Sequence, residues 1–306
     1  MISLGYLHGQ GDHTLFIKNS PDRILTLLLV YVDDIVTVDD EIKQLTLKEK
    51  LTTQFQMKEL GKLKYFLRIE VAYSKQGIFI SQRKYVLDLL KETGKFGFKT
   101  SGVPIEQNHR IGCEESPTIE KFKYHRLLSH TRPDIAYVVS VVSQFMHDPR
   151  ERHLQVVERI IQYLKASLGK LLLFRKEGTL SMQIYTNANY IRSVADRKST
   201  FGYCIFLGRN LIILDDLKVK YKGPIKLFCD NNSAISIAHN PVQHDKTKHI
   251  DIGRHFIKEK LNSELVVTTH VPTRLQVVDI FIKGFLATRF QERNGKLGMI
   301  DIHLPT

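Results

Sequence analysis

The chain has 306 residues, of which 42% are hydrophobic and 25% charged, and a formal net charge of +13. That make-up is globular, with room for about two domains and a core in most of the chain. The three cysteines, Cys113, Cys204 and Cys229, lack a Cys-x-x-Cys spacing, and the longest apolar run, 24–32, is far too short to span a bilayer. A disulfide scaffold, a structural zinc site and a membrane-spanning segment are therefore excluded. The N-terminus shows no basic region followed by an apolar core, so no secretory signal is expected and the protein reads as intracellular, cytoplasmic or nuclear. The basic excess fits a polyanionic partner, because Lys and Arg gain affinity by displacing counterions from phosphates.

In chain order, residues 1–24 read as a polar lead-in that ends in the turn cluster Asn19-Ser20-Pro21-Asp22. Two short apolar runs, 27–32 and 35–38, flank Asp33 and Asp34 and read as a β-hairpin with both carboxylates at its tip. Asp39 or Asp40 caps a helix to about residue 55, with Ile42, Leu45, Leu51 and Phe55 on one face. Strands over 65–71 and 77–80 form a second hairpin, and Ser81 caps a helix over 82–92 that Gly94 stops. Residues 94–118 lack periodicity and read as a linker. Pro133 starts a helix that Asp148-Pro149 breaks, and 151–168 carries the strongest helical pattern, with Leu154, Val157, Ile160, Ile161 and Leu164 on one face. Its other faces hold Arg150, Arg152, Arg159 and Lys165, a solvated face or a surface for phosphates. Strands follow over 180–186, 201–207, 225–229 and 265–270, with helices over 232–239, 248–261 and 275–285. Mixed in this order, they predict an α/β or α+β arrangement.

A carboxylate pair at a hairpin tip is costly unless solvated, paired or bound to a cation. It is also a natural ligand set for Mg²⁺, which prefers oxygen and binds substrate phosphates. The order Tyr31-Val32-Asp33-Asp34 resembles the active-site hairpin of reverse transcriptases. Other stretches agree: Asp12-His13-Thr14-Leu15-Phe16, Leu60-Gly61-Lys62-Leu63-Lys64-Tyr65-Phe66-Leu67, Ile80-Ser81-Gln82-Arg83-Lys84-Tyr85, Thr131-Arg132-Pro133-Asp134-Ile135-Ala136-Tyr137, Arg197-Lys198-Ser199-Thr200-Phe201-Gly202-Tyr203, Cys229-Asp230-Asn231 and Lys246-Thr247-Lys248-His249-Ile250-Asp251. Together and in this order, they resemble the C-terminal part of a copia-type LTR retrotransposon Pol polyprotein, across nearly the whole chain.

The resemblance implies an α+β architecture. Residues 1–93 would be the C-terminal part of a reverse-transcriptase palm with its following hairpin and helix, 94–118 a linker, 119–178 a helical thumb or connection region, and 179–306 an incomplete RNase H-like α/β domain. It also implies RNA-directed DNA synthesis and cleavage of RNA–DNA hybrids by two Mg²⁺ ions held on carboxylates. Asp33 and Asp34 are the expected polymerase ligands, and Asp230 and Asp251 the expected nuclease ligands. RNA, DNA or their hybrid is the implied partner.

Several positions depart from the family pattern. The earlier palm aspartate and the nucleotide-holding fingers are not found ahead of the hairpin, so an incomplete polymerase site is expected. Arg68 stands where the family has Gly. The segment before Thr131 looks shortened. Asn187, in Tyr185-Thr186-Asn187-Ala188-Asn189, replaces the first catalytic aspartate of the nuclease. The helix bearing the nuclease glutamate is missing between Leu214 and Lys226. His255 lies one helical turn after Asp251. The expectation is a retroelement-derived fragment without activity on its own. The alternatives are a non-catalytic basic nucleic-acid-binding protein and an enzyme completed in trans by an upstream polypeptide.

Overall fold

A computed structural model describes residues 6–8, 14–19, 25–31, 34–38, 49, 51–52, 58, 61–107, 109, 111, 132–176, 181–189, 200–212, 223–239 and 259–302. The chain divides into two compact units, residues 1–64 with 214–220, and residues 65–213 with 221–306.

The first unit holds a four-stranded antiparallel sheet, in the order β1 (Leu7–His8), β2 (Leu15–Asn19), β3 (Leu25–Tyr31) and β4 (Asp34–Val38). The apolar run of β3 makes it a central strand: Leu28 is fully buried, in a cluster with Tyr6 and Leu51. Tyr31 pairs with Asp34, so the hairpin expected around the carboxylates forms. Most of the helix expected over 39–55 lies outside the described residues.

The second unit begins with β5 (Tyr65–Phe66), β6 (Ile69–Tyr73) and β7 (Gly77–Ser81). The single strand expected over 65–71 is instead two strands, because the chain turns at Leu67 and Arg68, with φ of 48° and 66°. Positive φ at both central residues is the pattern of a type I′ hairpin turn, which favours Asn-Gly. Arg68 therefore occupies a left-handed position at a steric cost, partly offset by its guanidinium 5.2 Å from the Tyr85 ring. Arg68→Gly is expected to raise stability by about 0.5–1 kcal/mol in urea unfolding.

Helix α1 (Arg83–Glu92) starts where Ser81 Oγ accepts from Arg83 N at 3.1 Å and Glu70 Oε2 accepts from Lys84 N at 3.0 Å. It stops at Gly94, φ 65°, with Lys95 N bonded to Leu90 O at 3.0 Å, a Schellman-type end. Helices α2 (Ala136–Ser143) and α3 (Glu151–Ala166) follow. The apolar stripe of α3, with Val157, Ile160, Ile161 and Leu164, joins Val86, Leu89 and Leu90 of α1 and Val138 and Val142 of α2 in one core.

Strand β8 (Lys170–Arg175) then pairs with β7. Next come β9 (Met182–Asn189), β10 (Thr200–Leu207), β11 (Asn210–Ile212), β12 (Ile225–Cys229), α4 (Asn232–His239) and β13 (Val266–His270). The chain ends in 3₁₀ turns at Thr273–Leu275 and Val277–Phe281, helix α5 (Ala287–Lys296) and β14 (Met299–Asp301). The final helix expected over 275–285 is thus 3₁₀ turns, and α5 and β14 were not expected. Gly295 and the charged run around it weaken the helical pattern of α5, and a three-residue strand is too short to show alternation.

Two five-stranded sheets result, β14-β8-β7-β6-β5 and β11-β10-β9-β12-β13. In the second, β9, β10 and β11 are antiparallel neighbours, while β12 runs parallel to both β9 and β13. Gly202 of β10 lets the 3₁₀ segment lie on this sheet. A Cβ there would sit 2.7 Å from Ile282 Cγ2 and 3.0 Å from Val278 Cγ1. Gly202→Ala is expected to cost about 1–3 kcal/mol by overpacking, read as a lower urea midpoint at unchanged slope.

A buried polar knot joins α3 to the segment before α2. Arg132 Nε and Nη2 donate to Asp134 Oδ1 and Oδ2 at 2.9 and 2.8 Å. Tyr163 OH donates to Asp134, Lys170 Nζ donates to Tyr163 OH at 3.1 Å, and Arg132 Nη2 donates to Ser167 Oγ at 2.7 Å.

Candidate functional site

The two central parallel strands of the second sheet fix the site. Thr186 of β9 is in register with Cys229 of β12, so Asn187 and Asp230 lie side by side where these strands end. Carboxyl ends of adjacent parallel strands are where open α/β sheets bind ligands. Asn231 caps α4 just beyond, its Oδ1 accepting from Ala234 N at 3.1 Å. The 3₁₀ segment brings a third residue, Asp279, whose side chain is fully buried.

Asn187 Nδ2 donates to Asp279 Oδ1 at 2.8 Å and approaches Asp230 Oδ2 at 3.4 Å. Only the NH₂ end of the amide can donate to two carboxylates, which fixes its orientation. On the other side of Asp279, Lys283 Nζ lies 2.7 Å and Arg293 Nη2 3.3 Å from Oδ2. Arg293 also donates to the Gln276 and Thr273 carbonyls, and Gln276 Nε2 donates to Thr186 O at 3.0 Å. Burial lowers the Arg293 pKa, against the opposing pull of Asp279.

These residues do not fit a divalent metal. Mg²⁺ needs several oxygen ligands and negative charge. Here one corner is a neutral amide that presents N–H, and the buried carboxylate already faces two cationic side chains. Among the described residues, no group of three or more His, Cys, Asp or Glu side chains is placed to hold a metal ion. No reaction step through a metal follows from this arrangement.

Of the residues singled out in the sequence, Asn187 and Asp230 are brought together. Asp34 is exposed beside the first hairpin's turn, in the other unit. Asp33, Asp251 and His255 lie outside the described residues. Asp279 was missed. The signal for it was an acidic residue inside the apolar run Val277-Val278-Asp279-Ile280-Phe281, where an unpartnered carboxylate is not tolerated.

The basic residues of α3 are largely engaged within the chain. Arg150 pairs with Asp148 at 3.2 Å and Arg159 with Glu106 at 2.7 Å, and Lys165 Nζ donates to Phe98 O at 2.8 Å and to Phe96 O. Arg152 is exposed in the first turn. No helix among the described residues is long and apolar enough to cross a membrane.

The reverse transcriptase (RNA-dependent DNA polymerase) family matches residues 1–107. A retrovirus-related Pol polyprotein from transposon RE1 of Arabidopsis thaliana is 30% identical over 344 aligned positions, covering 99% of this chain and 23% of that protein. The corresponding protein from transposon RE2 of the same plant is 28% identical, covering 99% of the chain and 24% of that protein. An uncharacterized mitochondrial protein of A. thaliana, AtMg00810, is 32% identical over 192 positions, 60% of this chain and 80% of that protein. The chain thus spans about a quarter of the length of the transposon polyproteins it matches. The RE1 alignment is also longer than the chain's 306 residues, so that relative carries residues with no counterpart here. No solved structure matches.

Proposed function

The chain belongs to the copia-type family of retrotransposon Pol polyproteins, and from that premise we propose that it is a reverse transcriptase and RNase H portion whose nuclease site is disarmed. In this reading the ancestral role is RNA-directed DNA synthesis with hybrid cleavage, and the partner is RNA, DNA or their hybrid. Residues 1–93 derive from the palm with its next hairpin and helix, 94–118 from a linker, 119–178 from a thumb or connection region, and 179–306 from an RNase H-like domain. The order β11-β10-β9-β12-β13, three antiparallel strands followed by two parallel ones, supports the last assignment. The extra length of the RE1 alignment is in keeping with segments lost from this chain, the glutamate-bearing helix among them in this reading. Asp33 and Asp34 are the proposed polymerase ligands, and Asp230, Asp251 and Asp279 the nuclease remnant.

The observation that carries the reading is the Asn187 amide between Asp230 and Asp279. Two-metal hydrolysis needs carboxylate charge to hold two dications together, and here Lys283 and Arg293 supply the positive charge from within. Incubated with a labelled RNA–DNA hybrid in Mg²⁺ or Mn²⁺, the protein is expected to leave the RNA strand intact. Cleavage that disappears in Asp230→Asn would overturn the reading.

A non-catalytic nucleic-acid-binding protein is the second reading, favoured by the net charge of +13. Binding to the hybrid that weakens steeply with salt supports it.

A further inference from the structure

The loop after α1 carries two aromatic rings in an unusual setting. Phe96 is 50% and Phe98 38% exposed, and Lys91, Lys95 and Lys99 surround them in sequence. The loop is held rather than loose. Lys165 of α3 donates through one ammonium to the carbonyls of both Phe96 and Phe98, and Phe98 N bonds to Lys95 O at 3.2 Å. Lys95 Nζ lies 4.2 Å from the centre of the Phe98 ring and pairs with Glu158 on α3. Between the rings, Gly97 faces open space, with no atom within 4 Å of where a Cβ would stand. Lys91 and Lys99 are exposed and make no ion pair with a described residue.

Exposing two Phe rings to water is unfavourable, and nothing in the core needs them. The Lys165 ammonium fixes the backbone of both rings, at a cost in side-chain freedom. An aromatic pair pre-positioned in a cationic surround matches the way single-stranded nucleic acid is held, with bases stacked on rings and phosphates met by lysines.

We propose that Phe96 and Phe98 form a stacking platform for single-stranded nucleic acid, with Lys91 and Lys99 as its phosphate contacts and Lys165 as the residue that positions the loop. The inference rests on nucleic acid being this protein's partner class and names the place of contact. It also gives Lys165 an indirect role, in place of the direct phosphate contact its sequence position suggests.

The test is fluorescence anisotropy of the full chain with a labelled oligothymidylate and a labelled oligouridylate, across a salt series. Phe96→Ala with Phe98→Ala is expected to weaken binding about fivefold or more for each ring lost, with the salt slope unchanged. Phe96→Tyr with Phe98→Tyr should restore it, since a phenol ring stacks as well. Lys91→Gln with Lys99→Gln should lower the slope of log affinity against log salt by about 1.4. Thermal unfolding of each variant checks that the fold is intact. If the unaltered chain binds neither oligonucleotide, the partner class and the platform both fall. If it binds and the double Ala variant binds equally well, the platform alone falls. If those rings instead govern self-association in sedimentation, the patch is a protein interface and the proposal is wrong.

Discussion

Asp134→Asn is expected to destabilise the second unit by about 3–5 kcal/mol, the range seen when one partner of a buried ion pair is removed. The Asp134 side chain is fully buried and that of Arg132 is 5% exposed. Burial alone would push the Asp134 carboxyl up, but the Arg132 charge and hydrogen bonds, the Tyr163 hydroxyl and Lys170 outweigh it and hold it below the usual carboxylate range. Burial likewise works against the Arg132 charge, and Asp134 more than restores it. The carboxylate is thus the anion on which Arg132, Tyr163 and Lys170 converge, Lys170 also lying near Asp301. With an amide in its place, the guanidinium stays buried without a counter-charge. Replacing both members, Arg132→Met with Asp134→Leu, should cost less than Asp134→Asn alone, because no orphaned charge remains. The depressed carboxyl sets the pH dependence. Its contribution is complete above the unfolded pKa of about 3.9 and is lost as pH falls below that value. Urea unfolding at pH 7 and in the acid range reads both effects.

Asn187→Asp is the second large effect, and its sign depends on the cation present. Without divalent metal, the change replaces a donor by an acceptor between two carboxylates. It removes the 2.8 Å bond to Asp279 and adds like-charge repulsion with Asp279 and Asp230. A loss of about 2 kcal/mol or more is expected, since a hydrogen bond to a charged group is worth about 1.5–3 kcal/mol. With Mg²⁺ or Mn²⁺ the same three carboxylates gain a reason to be together. A cation bound at 100 times its Kd returns about 2.7 kcal/mol. Lys283 opposes this by holding Asp279 Oδ2, so Asn187→Asp with Lys283→Met should bind the ion more tightly than Asn187→Asp alone.

The hairpin at Asp33 and Asp34, α1 with its Gly94 stop, the apolar stripe of α3, and the bounds of β12 and α4 were all legible in the sequence. Each is set by local chemistry: a short apolar run, a helical stripe, a cap. The turn at Arg68 was not legible, because its residues carry no turn signature and the left-handed backbone is imposed by the strands it joins. Helix α5 was hidden for a related reason. Its buried face includes Arg293 and Asn294, and Arg293 is satisfied by the Gln276 and Thr273 carbonyls, well apart from it in sequence. The sequence presents Asn187 only as a replacement for a ligand, and the structure adds its amide contacts to two carboxylates. That it also bridges Asp230 to Asp279 depends on the 3₁₀ segment after β13, which the sequence presents as an ordinary apolar helix.

The most direct test of the proposal that the nuclease site is disarmed is the unfolding temperature of the unaltered chain with and without millimolar MgCl₂ or MnCl₂, at constant ionic strength, beside Asn187→Asp. The site as built predicts no shift for the unaltered chain and a clear rise for Asn187→Asp. A rise in the unaltered chain that vanishes in Asp230→Asn would show a metal held where the amide and Lys283 leave no place for one, and would contradict the account.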